Sequence, residues 1–299
     1  MEFHKYNKLH RLGKEETKDI FEDKEDIIYI EEKIDGGNFR FMIKDNKIII
    51  GSRTQQLTDN NGEDTNMNKM FKRCSDYIRF QLKDKDLTKL ENMIFYGENC
   101  VKHTLNYDFD NMPPFLGFDI LKDDKFLDWE EKNNIFKELG LPTVPLIKIT
   151  KAKDITEIND DSIPKSKYAK TTAEGLVFKN YKKQIFGKYV SDKFKEENKT
   201  TFGGRNKELK ESDNDEFIYR YVTNTRIDKQ IFKLLEENNK LDMKLMQLLP
   251  RRVYEDIWEE NLKEIIYSKW NLDLKHIMKP LSHRCLKVLN QFITNNNLK

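Results

Sequence analysis

Cysteine is scarce in this chain. Cys74, Cys100 and Cys285 are odd in number and far apart, which excludes a disulfide framework and a paired-cysteine zinc pattern and fits a reducing compartment. The five histidines show no metal-ligand spacing either. No apolar run approaches the roughly 20 residues of a membrane-crossing helix, and Met1–Tyr6 has no apolar core of a secretory leader. Net charge is almost absent, since 54 Lys and Arg stand against 52 Asp and Glu, leaving +2. The molecule is no polycation, so any nucleic-acid binding must rest on a local basic surface balanced by acid elsewhere. With 37% hydrophobic residues in 299, a core is still available for one large domain or two of ordinary size.

What is present centres on Lys33. The β-branched run Ile27-Ile28-Tyr29-Ile30 leads through Glu31-Glu32 to that lysine. Gly36-Gly37 follows, and then the alternating run Asn38-Phe39-Arg40-Phe41-Met42-Ile43-Lys44. This reads as strand, tight turn, strand, with the lysine at the rim of a sheet. A lysine is nucleophilic only when its amine is partly neutral, a state favoured by burial or neighbouring cations. Asp45-Asn46 is the expected turn into a third strand, Lys47–Ile50, closed by Gly51-Ser52-Arg53-Thr54. A helix is predicted near Asn68–Lys83 and another from Trp129 to Leu139, stopping at Gly140 with Pro142 and Pro145 behind it. Short apolar runs at 93–98, 115–120, 175–179 and 184–190 complete a strand-rich first part.

From Thr201-Phe202-Gly203-Gly204 the texture changes. Ile227, Ile231, Leu234 and Leu235 recur at helical spacing, as do Trp258, Leu262, Ile265 and Ile266, and then Leu286, Leu289, Phe292 and Ile293. The reading is two domains: 1–202, with strands and interspersed helices, and 203–299, helical. Arg251-Arg252, Lys275, Lys279 and Arg284 are candidates for lining a nucleic-acid path, or for plain solvated helix faces.

The strands of the first domain end, in order, on Lys33, Arg53, Glu98, Phe118, Glu174 and Lys188. Set in the segments Lys33-Ile34-Asp35-Gly36-Gly37-Asn38-Phe39-Arg40, Ser52-Arg53, Phe95-Tyr96-Gly97-Glu98, Phe115–Ile120, Glu174–Lys179 and Phe186–Val190, they resemble the motifs of covalent nucleotidyltransferases. The closer likeness is to the RNA ligase 2 family of phage and RNA-editing ligases. The resemblance implies an α+β fold, with an adenylyltransferase domain of antiparallel sheets and flanking helices followed by an all-helical domain. It implies that Lys33 carries AMP, with Lys188 at the α-phosphate and Glu174 organising Mg²⁺ (or Mn²⁺), Asp35 being a second candidate ligand. It places Glu32, Asn38, Arg40, Arg53, Glu98, Phe118, Lys188 and Lys193 against ATP, with Arg53 toward a phosphate, Glu98 on the ribose and Phe118 under the adenine. Two departures stand out: Asp35 where many relatives carry histidine, and Val190 where a second lysine is usual, leaving either Lys193 or Lys195 as a substitute or the contact absent.

The implied chemistry is attack of Lys33 on ATP, transfer of AMP to a 5′-phosphate, and sealing by a 3′-hydroxyl. All three steps build negative charge on a phosphoryl group, so cations and in-line positioning outweigh acid–base groups. Lys188, Arg53 and a metal are expected to supply that charge and to lower the pKa of Lys33. The implied partner is RNA with 5′-phosphate and 3′-hydroxyl ends, as a nicked duplex or an RNA/DNA hybrid. The protein is expected to be a cytoplasmic monomer without membrane contact, in the host cytoplasm if the gene is viral. Two readings compete with an RNA ligase. One is a DNA ligase or capping-type nucleotidyltransferase, which would usually carry a β-rich domain after the last motif. The other is a non-catalytic RNA-end-binding module, which only Val190 favours.

Overall fold

The computed structural model describes residues 3–65, 67, 69–101, 105, 107–191, 212–238 and 241–297. The chain divides into two compact units, Met1–Phe194 and Lys195–Lys299. Lys193, Lys195 and the predicted boundary at 202/203 lie outside the described residues.

The first unit is built on two five-stranded sheets. Its strands are β1 (His10–Arg11), β2 (Ile27–Lys33), β3 (Gly37–Lys44), β4 (Lys47–Ser52), β5 (Met93–Asn99), β6 (Phe115–Lys122), β7 (Lys125–Phe126), β8 (Leu146–Lys151), β9 (Gly175–Asn180) and β10 (Ile185–Val190). One sheet runs β1-β10-β9-β2-β8 and the other β4-β3-β5-β6-β7. Pairing is antiparallel except between β1 and β10. The β3–β4 turn is the predicted Asp45-Asn46 pair, both residues at positive φ (50° and 58°), which matches the right-handed twist of the flanking strands.

Alternation along each strand decides the layers. Phe39, Phe41 and Ile43 of β3 and Phe95 of β5 turn outward into a core with Phe71, Cys74 and Ile78 of helix α1 (Lys69–Leu82) and Phe136 of helix α2 (Trp129–Glu138). Met42, Ile94 and Tyr96 turn to the opposite face, which they share with Tyr6, Phe118, Phe126 and Phe186. In the β2 sheet, Ile28, Ile30, Leu176 and Phe178 form an outer core with Ile20. The two inner faces meet through Lys179–Asp119 and through the rings of Phe126 and Phe186, 5.1 Å apart.

The second unit has four described α-helices, α3 (Asp213–Tyr221), α4 (Asn224–Asn238), α5 (Leu249–Tyr267) and α6 (Leu274–Asn297). Ile227, Ile231, Leu234, Ile257, Ile277, Leu281 and Leu289 are buried between them. Three of the residues that recur at helical spacing are exposed: Leu262 at 48%, Ile266 at 63% and Leu286 at 37%. The inward stripe of α5 runs through Val253, Asp256, Ile257 and Ile265, with Asp256 held by Arg226 and Lys233. Among the described residues, no helix is long and apolar enough to cross a membrane.

Candidate active site

β2 delivers Lys33 to the inner rim of its sheet, where its register partner is Gly175 at the start of β9. The residue before that glycine, Glu174, is buried and accepts a hydrogen bond from Lys33 Nζ at 2.7 Å. Burial works to lower the Lys33 pKa, but the charges of Glu174, Glu98 and Asp35 outweigh it and hold the ammonium above its ordinary value. The lowering expected from Lys188 and Arg53 is therefore not what the free protein shows. Carboxylates, not cations, dominate the surroundings of this amine.

The turn after Lys33 is pressed against the neighbouring sheet. A Cβ on Gly36 would come within 2.5 Å of the Asn99 carbonyl oxygen and 2.9 Å of Glu98 Cγ, so only glycine fits. Asp35 is buried beside it; its N–H donates to Tyr107 Oη at 2.8 Å, and its Oδ2 accepts from the Leu105 N–H at 3.0 Å. Asp35 thus ties down Leu105 and Tyr107 while adding negative charge near Lys33. Asn38 and Glu98 are register partners on β3 and β5, and Asn38 Oδ1 is a buried acceptor without a hydrogen-bond partner among the described residues.

The register also orders the cations. Lys33, Gly175 and Val190 form one cross-strand row; Glu31, Val177, Lys188 and Arg11 form the next. Residues in a row project from the same face, so Lys188 and Arg11 share the inner face with Lys33. Leu12, next to Arg11, packs outward, its Cδ2 standing where a Cβ on Gly187 would sit. The valine that departs from the usual lysine is separated from Lys33 only by the bare backbone of Gly175. Arg11 is thereby a further candidate that sequence reasoning did not single out, because a two-residue strand carries no periodicity.

Other predicted residues fall differently. Glu32 lies on the opposite face of β2 from Lys33; Oε2 accepts from the Lys167 N–H at 3.1 Å, Oε1 is buried without a hydrogen-bond partner among the described residues, and burial pushes its carboxyl up. Arg40 is tied to the N-terminal segment, with Nη1 donating to the Phe3 carbonyl at 2.6 Å and the guanidinium 4.2 Å from the Phe3 ring centroid. Burial brings its pKa down to about 10. Arg53 is half-buried just beyond β4 and has no hydrogen-bond or ion-pair partner among the described residues. Phe118 is half-buried on the inner face, meeting Tyr6 edge-on at 4.8 Å. In the second unit Arg251 and Arg252 are paired with Glu255 and Glu237.

Two facing, mainly antiparallel sheets, with a lysine at the rim of one paired to a buried glutamate beside it, define the nucleotidyltransferase class of fold. The description of the RNA ligase family matches residues 26–196, more than half of the sequence, and the chain belongs to that family. Among solved structures, a mutant of Naegleria gruberi RNA ligase with ATP and Mn is similar with a TM-score of 0.51 and 19% identity, over 65% of this chain and 58% of that one. The same enzyme with PPi gives 0.51 and 19%, over 66% and 59%. At such identity the likeness speaks for the fold, and the chain matches less than two thirds of the length of those relatives. No curated protein matches it.

Proposed function

We propose that this protein is an ATP-dependent RNA ligase that joins 3′-hydroxyl and 5′-phosphate ends through a lysyl–AMP intermediate on Lys33. The observation that carries this reading is the convergence on Lys33 Nζ of Glu174, Glu98 and Asp35, from two different sheets and the turn between them. A solvated strand-end lysine has no use for such an enclosure.

The amine must lose its proton before it attacks. Its lone pair then forms a bond to the α-phosphorus, and the bond from that phosphorus to pyrophosphate breaks. Lys188 on the same face offers positive charge to the phosphates, and Arg53 offers a guanidinium for a second phosphate. In the next step the oxygen of a 5′-phosphate displaces Lys33 from the phosphorus of AMP. A 3′-hydroxyl then attacks the activated 5′ end, a phosphodiester forms, and AMP leaves.

The donor set also fits a divalent cation. Carboxylates outnumber cations around Lys33, yet no group of three or more metal-ligating side chains exists among the described residues. Mg²⁺ or Mn²⁺ held by Glu174, with Asp35 nearby, water and substrate phosphates completing the shell, suits that arrangement. When bound, such a cation supplies the charge that offsets the carboxylates beside the amine and the negative charge on the phosphoryl group.

The test is incubation with α-labelled ATP and Mg²⁺, after pyrophosphate treatment to strip any bound AMP. Label is expected on the parent chain and none on a Lys33→Ala variant. A parent that takes no label would leave a module that binds RNA ends without sealing them.

A further inference from the structure

Between the two sheets lies a buried charged cluster that none of these steps uses. Lys132 of α2 is fully buried and Lys179 of β9 nearly so. Lys132 Nζ donates to Glu31 Oε1 and to the Phe118 carbonyl, both at 2.7 Å. Lys179 Nζ donates to the same carbonyl at 2.7 Å, reaches Asp119 Oδ2 at 2.9 Å and pairs with Glu31 Oε2 at 2.7 Å. Asp119 also accepts from Tyr6 Oη at 2.6 Å and Tyr181 Oη at 2.8 Å. Two ammoniums and two carboxylates balance, and the partners are joined within hydrogen-bond reach. Apolar residues of similar volume would stabilise such a core as well or better, so what this cluster specifies is geometry.

That geometry is centred on Phe118. Along β5 and β6, Tyr96 pairs with Asp119 and Gly97 with Gly117, which leaves Phe118 as the extra residue of a bulge. A bulge re-aims a side chain and removes its residue from the ladder; here two ammoniums take the stranded carbonyl. The Glu31 carboxylate that grips both lies two residues before Lys33, on the same face of β2. One node therefore fixes the bulge of β6 relative to the strand that carries the nucleophile. Resting on the ligase reading above, we propose that Lys132 and Lys179, tied by Glu31, are positioning residues that hold the Phe118 ring as the adenine platform at a set distance from Lys33.

The test is a double-mutant cycle on equilibrium ATP binding, in a Lys33→Met background that binds without reacting, with circular dichroism as the check on folding. Removing a stacking aromatic weakens binding about five- to hundredfold, and Phe118→Ala is expected to fall in that range. Lys132→Met should weaken binding about fivefold or more, and the double variant should bind no worse than Phe118→Ala alone, within about twofold. A purely structural lysine would give multiplicative losses, which overturns the proposal. So does a Lys132→Met protein that binds ATP like its parent. Should Lys132→Met fail to fold, Glu31→Gln, which keeps the side chain's volume, takes its place in the cycle: a loss that vanishes beside Phe118→Ala supports the proposal, and a multiplicative loss or none overturns it. A parent without any ATP affinity would instead bring down the ligase reading itself.

Discussion

Val190→Lys places the missing second lysine back on the row that it shares with Lys33 and Gly175. Neighbouring strands lie about 4.8 Å apart, so position 190 is about 10 Å from Lys33 across two strands. Gly175 between them contributes no side chain. Val190 is 8% exposed, and a lysine there can carry its ammonium up into the cleft, about 9 Å from Lys33 Nζ. At an effective dielectric constant of about 20, two unit charges at that distance repel by about 2 kcal/mol, or about 1.3 pKa units. The Lys33 pKa starts raised by its three carboxylates, so it should fall by about one unit. Below that pKa the neutral fraction rises about tenfold. The assay is the single-turnover rate of lysyl–AMP formation at saturating ATP, followed against pH. The rising limb of that profile should move about one unit toward acid, while Val190→Met, uncharged and of similar length, leaves it in place. A folded Val190→Lys protein whose limb stays put, or moves toward alkali, would refute the electrostatic reasoning.

Two further outcomes follow from the same geometry. Arg11→Ala removes the cation beside Lys188; losing a charge-assisted phosphate contact costs about 1.5–3 kcal/mol, so the KM for ATP should rise at least about tenfold, with Arg11→Lys recovering part. An unchanged KM in steady-state adenylylation would take Arg11 off the phosphate edge. Gly36→Ala drives a methyl to within 2.5 Å of the Asn99 carbonyl, and overpacking of this kind costs about 1–3 kcal/mol. Denaturant melts should show that loss, and parental stability would mean the turn relaxes freely.

The parts legible in the sequence were those whose meaning is local. Lys33 with its glycines, Asp45-Asn46, the run that leads to Glu98 and the run that follows Glu174 announce themselves by neighbours a few positions away. Contacts over long separations were not legible. Glu31 and Lys132 are 101 positions apart, and a lysine in a polar helix such as α2 reads as a solvated one. Lys179 lay inside a recognised segment, but nothing local says that its ammonium turns back onto the Phe118 carbonyl. Strand β8 escaped because it is an edge strand, mostly exposed and carrying Lys148 and Thr150. Leu262 and Ile266 satisfied helical spacing yet face outward, since periodicity fixes that residues share a stripe without saying which stripe is covered.

The field around Lys33 also bears on the order of events. In the free protein the amine is raised above its ordinary pKa by carboxylates, so at neutral pH it is an ammonium paired with Glu174. That pairing stabilises the folded chain at pH values below the unfolded-state pKa of lysine. The contribution disappears only as pH climbs through the higher folded-state value. At neutral pH the pairing is therefore fully present and the amine is held in its unreactive protonated form. On the ligase reading, positive charge arriving with the nucleotide, from a bound cation or from Lys188 and Arg11 drawn toward the phosphates, would reverse the balance only while ATP is present. On that reading, a lysine kept protonated until its substrate is in place would be shielded from other electrophiles, and the carboxylates that hold the proton would be the groups suited to receive the cation.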